Sequence, residues 1–360
     1  MNRIVVLLVV LISGLSSSAQ DSLVHSIFLI GDAGKDSATT ENLRALEFEI
    51  SRFPQSTVLF LGDNIYHDGL SGKDGSEKRL RQEKKILTQI NAVVGHTGKV
   101  YFIPGNHDWK AGRWKGLETM QRQAEFVTTE LGKGESIKNE RLFLPSTGLP
   151  GPEVESLGDG LKMIAIDTQW WLHSQFFHKV NRPKSLNRKE TQNLFFKRLD
   201  SLMNVMQLAG DQIIIAAHHP LFSNGHHGSP KEPLRFLINY TPFQIFGLMG
   251  VNRILVQDIP QPRYKRMKKK LLRVLENYPG VIFVSGHEHN LQYHTYGDDH
   301  FLISGSGSKV SELVGDRYPA KFMEDRYHGF MRLDIHLDGR RVCYVYNGDQ
   351  GIIEEVLKLD

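Results

Sequence analysis

The chain has 360 residues, 40% hydrophobic and 23% charged, with a net charge of +4 and a single cysteine, Cys343. That length allows one large domain or at most two, each with a sizeable core. The mild charge demands no nucleic-acid partner, and one cysteine excludes an intramolecular disulfide.

Residues 1–19 read as an export leader. Arg3 supplies the positive start, Ile4 to Ile12 is an unbroken apolar run, and Ser17-x-Ala19 offers small residues for cleavage before Gln20. The apolar run is far short of the ~20 residues of a spanning helix, so no stable membrane anchor is expected. The expected location is outside the cytoplasm, secreted or periplasmic. Residues 20–360 are read as one domain.

From there the chain repeats strand, loop and helix. An apolar strand at Ser26 to Ile30 leads to Gly31-Asp32, followed by a helix around Glu41 to Arg52. Thr57 to Leu61 leads to Gly62-Asp63-Asn64-Ile65-Tyr66, then a charged helix at Ser76 to Val94. Val100 to Ile103 leads to Gly105-Asn106-His107-Asp108, then a helix at Leu117 to Leu131. This alternation predicts a sheet with helices on its face, with ligands gathered beyond the carboxyl ends of the strands.

A strand at Leu161 to Ile166 and a helix from Lys189 to Leu208 continue the pattern. Gln212 to Ala217 ends at His218-His219-Pro220, and Val281 to Ser285 ends at Gly286-His287-Glu288-His289. Phe301 to Ile303, Gly329 to Ile335 and Arg341 to Tyr346 suggest a second sheet packed on the first, with Cys343 a buried strand residue. Residues 229–262 read as an insertion beside the ligand face. Its apolar stretch, Phe236 to Leu248, is read as a helix packed on the body or as a pocket wall. Arg263 to Arg273 holds seven Lys/Arg in eleven positions. Met267, Leu271 and Leu275 recur every four residues there, which favours a solvated amphipathic helix over a phosphate-binding stretch.

Carboxylates and imidazoles at converging strand ends are what a pair of di- or trivalent metals requires. Asp63 can bridge two ions with its two oxygens. His287 and His289, two apart on an extended segment, project to one side. Asn106 adds a neutral oxygen. Tyr66 is diagnostic, because a phenol titrating near ~10 coordinates well only to a strongly acidic cation such as Fe³⁺. His219 is expected to alternate away from the metals.

In the order and spacing of these motifs, the sequence resembles the calcineurin-like metallophosphoesterase superfamily, and within it the small purple acid phosphatases of the tartrate-resistant type. Gly62-Asp63-Asn64-Ile65-Tyr66 and His287-Glu288-His289-Asn290-Leu291-Gln292-Tyr293 carry the resemblance to that branch. It implies an α/β fold of two packed mixed β-sheets flanked by helices, a four-layer α/β/β/α sandwich. It also implies a binuclear centre. Asp32, Asp63, Tyr66 and His289 would hold Fe³⁺, and Asp63, Asn106, His218 and His287 would hold Fe²⁺, Zn²⁺ or Mn²⁺. The expected activity is hydrolysis of small phosphate monoesters by attack of a metal-bound hydroxide. Phosphodiester or nucleotide hydrolysis at the same site is the alternative, and a non-catalytic binding protein a remote one.

Leaving-group protonation is expected from His107, with Asp108 orienting its ring, or from His227, which matches a substrate-facing histidine of the resembling family. His226 is not separated from His227 by spacing alone. Trp170-Trp171 and Phe176-Phe177 are candidate stacking residues at the pocket mouth.

Overall fold

The computed structural model describes residues 23–36, 40–134, 141–173, 187–228, 259 and 261–359. Three parallel strands, β1 (Leu23–Ile30), β2 (Thr57–Phe60) and β3 (Lys99–Phe102), alternate with α1 (Glu41–Ser51), α2 (Glu77–Asn91) and α3 (Gly116–Leu131). There follow β4 (Glu153–Gly158), β5 (Leu161–Ala165), the short α4 (Gln169–Leu172), α5 (Arg188–Ala209), β6 (Gln212–Ala216) and α6 (Pro262–Leu275). The chain closes with β7 (Ile282–Ser285), β8 (Leu291–Tyr296), β9 (Asp299–Ser304), β10 (Ala320–Glu324), β11 (Gly329–His336), β12 (Arg341–Asn347) and β13 (Ile352–Lys358).

The helices begin where side chains satisfy their free amides. Thr40, Ser76 and Asn187 accept from the backbone N–H of Leu43, Arg79 and Glu190. α5 stops at Gly210, whose φ of 74° suits a residue without Cβ.

Two mixed sheets result, in the orders β13-β12-β11-β1-β2-β3 and β10-β8-β9-β7-β6-β5-β4. Alternation along the strands divides the core. Ile27, Leu29, Leu59 and Leu61 meet Ile214, Ala216, Ile282 and Val284 between the sheets. Phe28, Ile30, Val58 and Phe60 face the helices. With apolar residues on both faces, each central strand is buried on both sides. The four-layer α/β/β/α sandwich expected from the sequence is the observed architecture.

The partition of strands differs from the expectation. β11 and β12 do not build the second sheet. β11 pairs antiparallel with β1, and the C-terminal strands extend the first sheet, while β9 joins β7 and β8 in the second. Pairings that span most of the chain leave no local sequence signal.

Cys343 is fully buried in β12. α6 forms as expected and buries Tyr264, Met267, Leu271 and Leu275, leaving most of its cations outward. No helix among the described residues is long and apolar enough to cross a membrane. The proposed leader, residues 229–258 and 260 of the insertion, and Phe176-Phe177 lie outside the described residues.

Candidate metal centre

β1, β2 and β3 of one sheet and β6 and β7 of the other end at a common edge. The residues just past those ends carry the chemistry. Asp32, Asp63 and His287 adopt φ values of 60°, 55° and 70°, a region that costs non-glycine residues energy and concentrates at functional sites. The loops also touch. Gly31 N–H donates to the Ser304 carbonyl at 2.6 Å, and Gly286 N–H to the His218 carbonyl at 3.0 Å. A Cβ on Gly105 would stand 2.2 Å from the backbone nitrogen and Oδ1 of Asp63, so this approach requires glycine.

The seven expected ligand residues come together in two sets. Tyr66 donates its hydroxyl to Asp32 Oδ1 at 2.7 Å and lies 3.2 Å from His289 Nε2, itself 3.6 Å from Asp32 Oδ1. In the second set, Asn106 Oδ1 is 2.9 Å from both His218 Nε2 and His287 Nδ1. Those two nitrogens are 3.2 Å apart. Asp63 Oδ1 is 3.4 Å from His218 Nε2, and ligand atoms of Asp32, Asp63 and His218 all lie within 4.8 Å of one another. Asp63 therefore stands where the sets meet.

Neighbouring groups fix which nitrogen faces inward. His218 Nδ1 is 2.8 Å from the Leu61 carbonyl, so it carries the proton and leaves Nε2 as a lone pair. His289 Nδ1 meets Ser311 Oγ at 3.0 Å, leaving Nε2 toward Tyr66. Burial drives the pKa of His218, His287 and His289 down, so all three are neutral and ready to ligate.

The carboxyl of Asp32 is raised well above its usual range by burial and by Asp63. The Tyr66 phenol is likewise pushed up by burial and the two carboxylates. Two buried carboxylates and converging imidazole lone pairs repel without a cation and bind one well. His287 offers Nδ1 to this cluster, beside Asn106 Oδ1 and His218 Nε2. The residues fit a pair of metals.

The structure separates the proton-donor candidates. The His107 ring lies tilted 4.4 Å from that of Tyr66, with Nδ1 2.6 Å from the His67 carbonyl and Nε2 3.7 Å from Asp63 Oδ2. The His227 ring lies 4.4 Å from that of His287 and is half-buried, while His226 is exposed. His227 is the one that faces the cluster.

Asp108 does not orient His107. It is fully buried and turned the other way, accepting hydrogen bonds from the backbone N–H groups of Gly105, Asn64 and Ile65 and from the amides of Asn64 and Gln123. Its carboxylate ties the Asp63–Tyr66 loop to the Gly105–Asn106 loop. Burial and Asp63 raise its pKa to about 7. The orienting partner of His107 is the His67 main chain, which side-chain chemistry cannot reveal.

Two further expectations change. His219 is not turned away, because β6 ends at Ala216 and alternation ends with it. Its ring lies 4.3 Å from that of His287. Its N–H donates to Thr168 Oγ at 3.1 Å, and the Thr168 hydroxyl is 2.8 Å from its Nδ1. Nδ1 is thereby engaged by Thr168, and the ring packs beside those of His218 and His287. Trp170 and Trp171 are buried in the helix-facing core, edge to face at 5.3 Å, and do not line a mouth.

Glu288, between the two histidines of the last motif, was not singled out by the sequence. It accepts from Ser223 Oγ at 2.7 Å and from His227 N–H at 3.0 Å, anchoring the His227 turn. Its place opposite two same-side histidines was the available signal.

Comparison with known proteins bears on the family and the fold. A family profile described as calcineurin-like phosphoesterase matches residues 25–291. The chain is 20% identical to purple acid phosphatase 7 of Arabidopsis thaliana, covering 89% of this chain and 81% of that protein. It is 23% identical to purple acid phosphatase 17 of the same plant, covering 90% and 82%. Among solved structures, GAP50, described as the anchor in the inner membrane complex of Plasmodium, aligns with a TM-score of 0.62 at 18% identity, covering 94% and 89% of the two chains. The purple acid phosphatase PPD1 of yellow lupin (Lupinus luteus) aligns at 0.54 and 15% identity, covering 94% and 54%.

Proposed function

The chain belongs to the calcineurin-like phosphoesterase family, and from that premise we propose that it is an exported acid phosphatase-like enzyme hydrolysing small phosphate monoesters at a binuclear metal centre. The fold alone leaves this open, since its neighbours include a protein described as an anchor as well as a phosphatase. The observation that carries the reading is the complete set of seven side chains meeting in two groups about Asp63.

Asp32, Tyr66 and His289 form the group suited to Fe³⁺, and Asn106, His218 and His287 the group suited to Fe²⁺, Zn²⁺ or Mn²⁺, with Asp63 shared. When bound, such a pair supplies the positive charge that polarises a phosphoryl group and acidifies water. Tyr66 favours a ferric first ion, because burial and two carboxylates oppose phenol ionisation unless a strongly acidic cation offsets them. Asn106 keeps the negative charge of the donor set low enough to admit an anion.

His107 is placed to protonate the leaving alcohol. Its Nδ1–H is held by the His67 carbonyl, which directs Nε2 to the face it shares with Asp63 and Tyr66. His227, held by Glu288 against His287, borders the same space and is the second group for phosphate contact or proton transfer. Asp108 acts only by holding the loops.

The test compares turnover of an aryl phosphate monoester and a bis-aryl phosphate diester by the metal-loaded enzyme. A preference for the monoester is expected, and Asp63→Ala is expected to lower kcat by about 10³-fold or more. A preference for the diester would move the enzyme to the phosphodiesterase alternative. Activity that survived Asp63→Ala would overturn the metal assignment.

A further inference from the structure

Lys309 lies in the segment after β9, which is clamped on both sides of it. Ser308 Oγ donates to the Asp32 carbonyl at 2.5 Å and accepts from the Lys35 N–H at 3.1 Å. Gly307 N–H donates to the Gly31 carbonyl, and a Cβ at Gly307 would stand 2.3 Å from that oxygen. Beyond Lys309, Ser311 N–H donates to the His289 carbonyl at 2.8 Å, and its hydroxyl meets His289 Nδ1. The two clamps attach to Asp32 and His289, so Lys309 is built into the frame that positions them.

The side chain is directed over the site. Its Nζ sits 4.2 Å above the Tyr66 ring centroid and 3.5 Å from His289 Nε2, and the residue is half-buried. Among the described residues it forms no ion pair with a carboxylate. A contact with an aromatic face does not replace a counter-charge for a partly desolvated ammonium. Asp32 and Asp63 attract it, and both belong to the proposed donor set. Once metals take those carboxylates, the partner left for the ammonium is an anion arriving from solvent.

We propose that Lys309 is a substrate-binding residue that holds a phosphoryl oxygen and selects doubly charged phosphate monoesters over singly charged diesters. This rests on the phosphatase reading above and assigns its selectivity to one residue. Coulombic attraction scales with ligand charge, so a fixed ammonium strengthens binding of a dianion more than of a monoanion of similar shape. Lysine suits the task because it presents a point charge with three donors on a flexible stem.

The experiment titrates inorganic phosphate and dimethyl phosphate into the metal-loaded native enzyme, Lys309→Met and Lys309→Arg, following heat, with metal content measured on the same samples. Lys309→Met is expected to keep both metals and to bind inorganic phosphate about 10- to 100-fold more weakly, the loss of a charge-assisted hydrogen bond. Dimethyl phosphate, with half the charge, should lose only about 3- to 10-fold, and Lys309→Arg should restore most of the phosphate affinity. Unchanged phosphate affinity in Lys309→Met overturns the proposal, as does an equal loss for both ligands. Loss of metal from Lys309→Met overturns it in favour of a role in building the centre. If the native enzyme holds two metals and binds no phosphate, the phosphatase reading fails together with it.

Discussion

At the scale of single residues, the centre depends on a few side chains that hold backbone rather than substrate. Asp108 gathers five N–H donors from two loops and one helix into one buried carboxylate, and those loops carry Asp63, Tyr66 and Asn106. Asp108→Ala leaves those donors unsatisfied in the interior. It should cost about 3–5 kcal/mol in denaturant unfolding, and metal affinity should fall by about 10- to 100-fold as the loops lose register. A variant of native stability and metal content with kcat alone reduced would instead show that Asp108 acts through the chemistry of His107. Asp63 and Glu288 divide their labour in the same way. Asp63 faces the cluster, with Oδ1 3.4 Å from His218 Nε2 while also accepting from the His107 N–H at 2.8 Å, and Glu288 sits between two inward histidines while spending its oxygens on Ser223 and His227.

At the scale of elements, the strands of the first sheet carry a titratable joint. His25 of β1 reaches Thr57 of β2, with Nε2 2.8 Å from its hydroxyl. Burial, with Lys99 and His96 adding repulsion, lowers its pKa to about 4, against ~6.5 for an unfolded chain. Between those values the unfolded chain takes up a proton that the fold refuses. The contribution of His25 is therefore intact above about 6.5 and is lost as pH falls toward about 4. Urea unfolding at pH 7.5 and 5 should show the native protein losing more stability than His25→Gln. Equal losses would show that His25 is not a source of acid sensitivity.

The same scale shows what the sequence could reveal. β1, β2, β3, β6 and β7 announce themselves as apolar runs ending in a ligand residue, because burial on both faces demands continuous apolar sequence and the chemistry sits past the last residue. β8 escaped notice because it carries buried Gln292 and His294, which satisfy each other at 2.8 Å while Gln292 also accepts from Asn224 N–H. β4, β10 and β13 are sheet edges, where one unpaired side and solvent exposure relax the pattern. The assignment of β11 and β12 to a sheet depended on pairings across the whole chain, which periodicity does not encode.

At the scale of the molecule, two sheets meet at one edge, and each supplies part of the donor set. The first contributes Asp32, Asp63, Tyr66 and Asn106, and the second His218, His287 and His289. All seven were readable as residue types at strand ends, since few other reasons place Asp, Tyr, Asn and His there in series. What hydropathy and spacing did not reveal is carried by main chain or by long-range contact: the His67 carbonyl on His107, Ser311 on His289, and Lys309 over Tyr66.

The central claim is that these seven side chains hold two metals, one of them ferric and bound by Tyr66. Metal analysis and a visible spectrum of the purified protein test it together. Two metals per chain are expected, at least one of them iron, with a tyrosinate-to-iron band near ~500–560 nm that disappears in Tyr66→Phe. A colourless protein holding only zinc or manganese would contradict the ferric site, and one that binds no metal would contradict the centre itself.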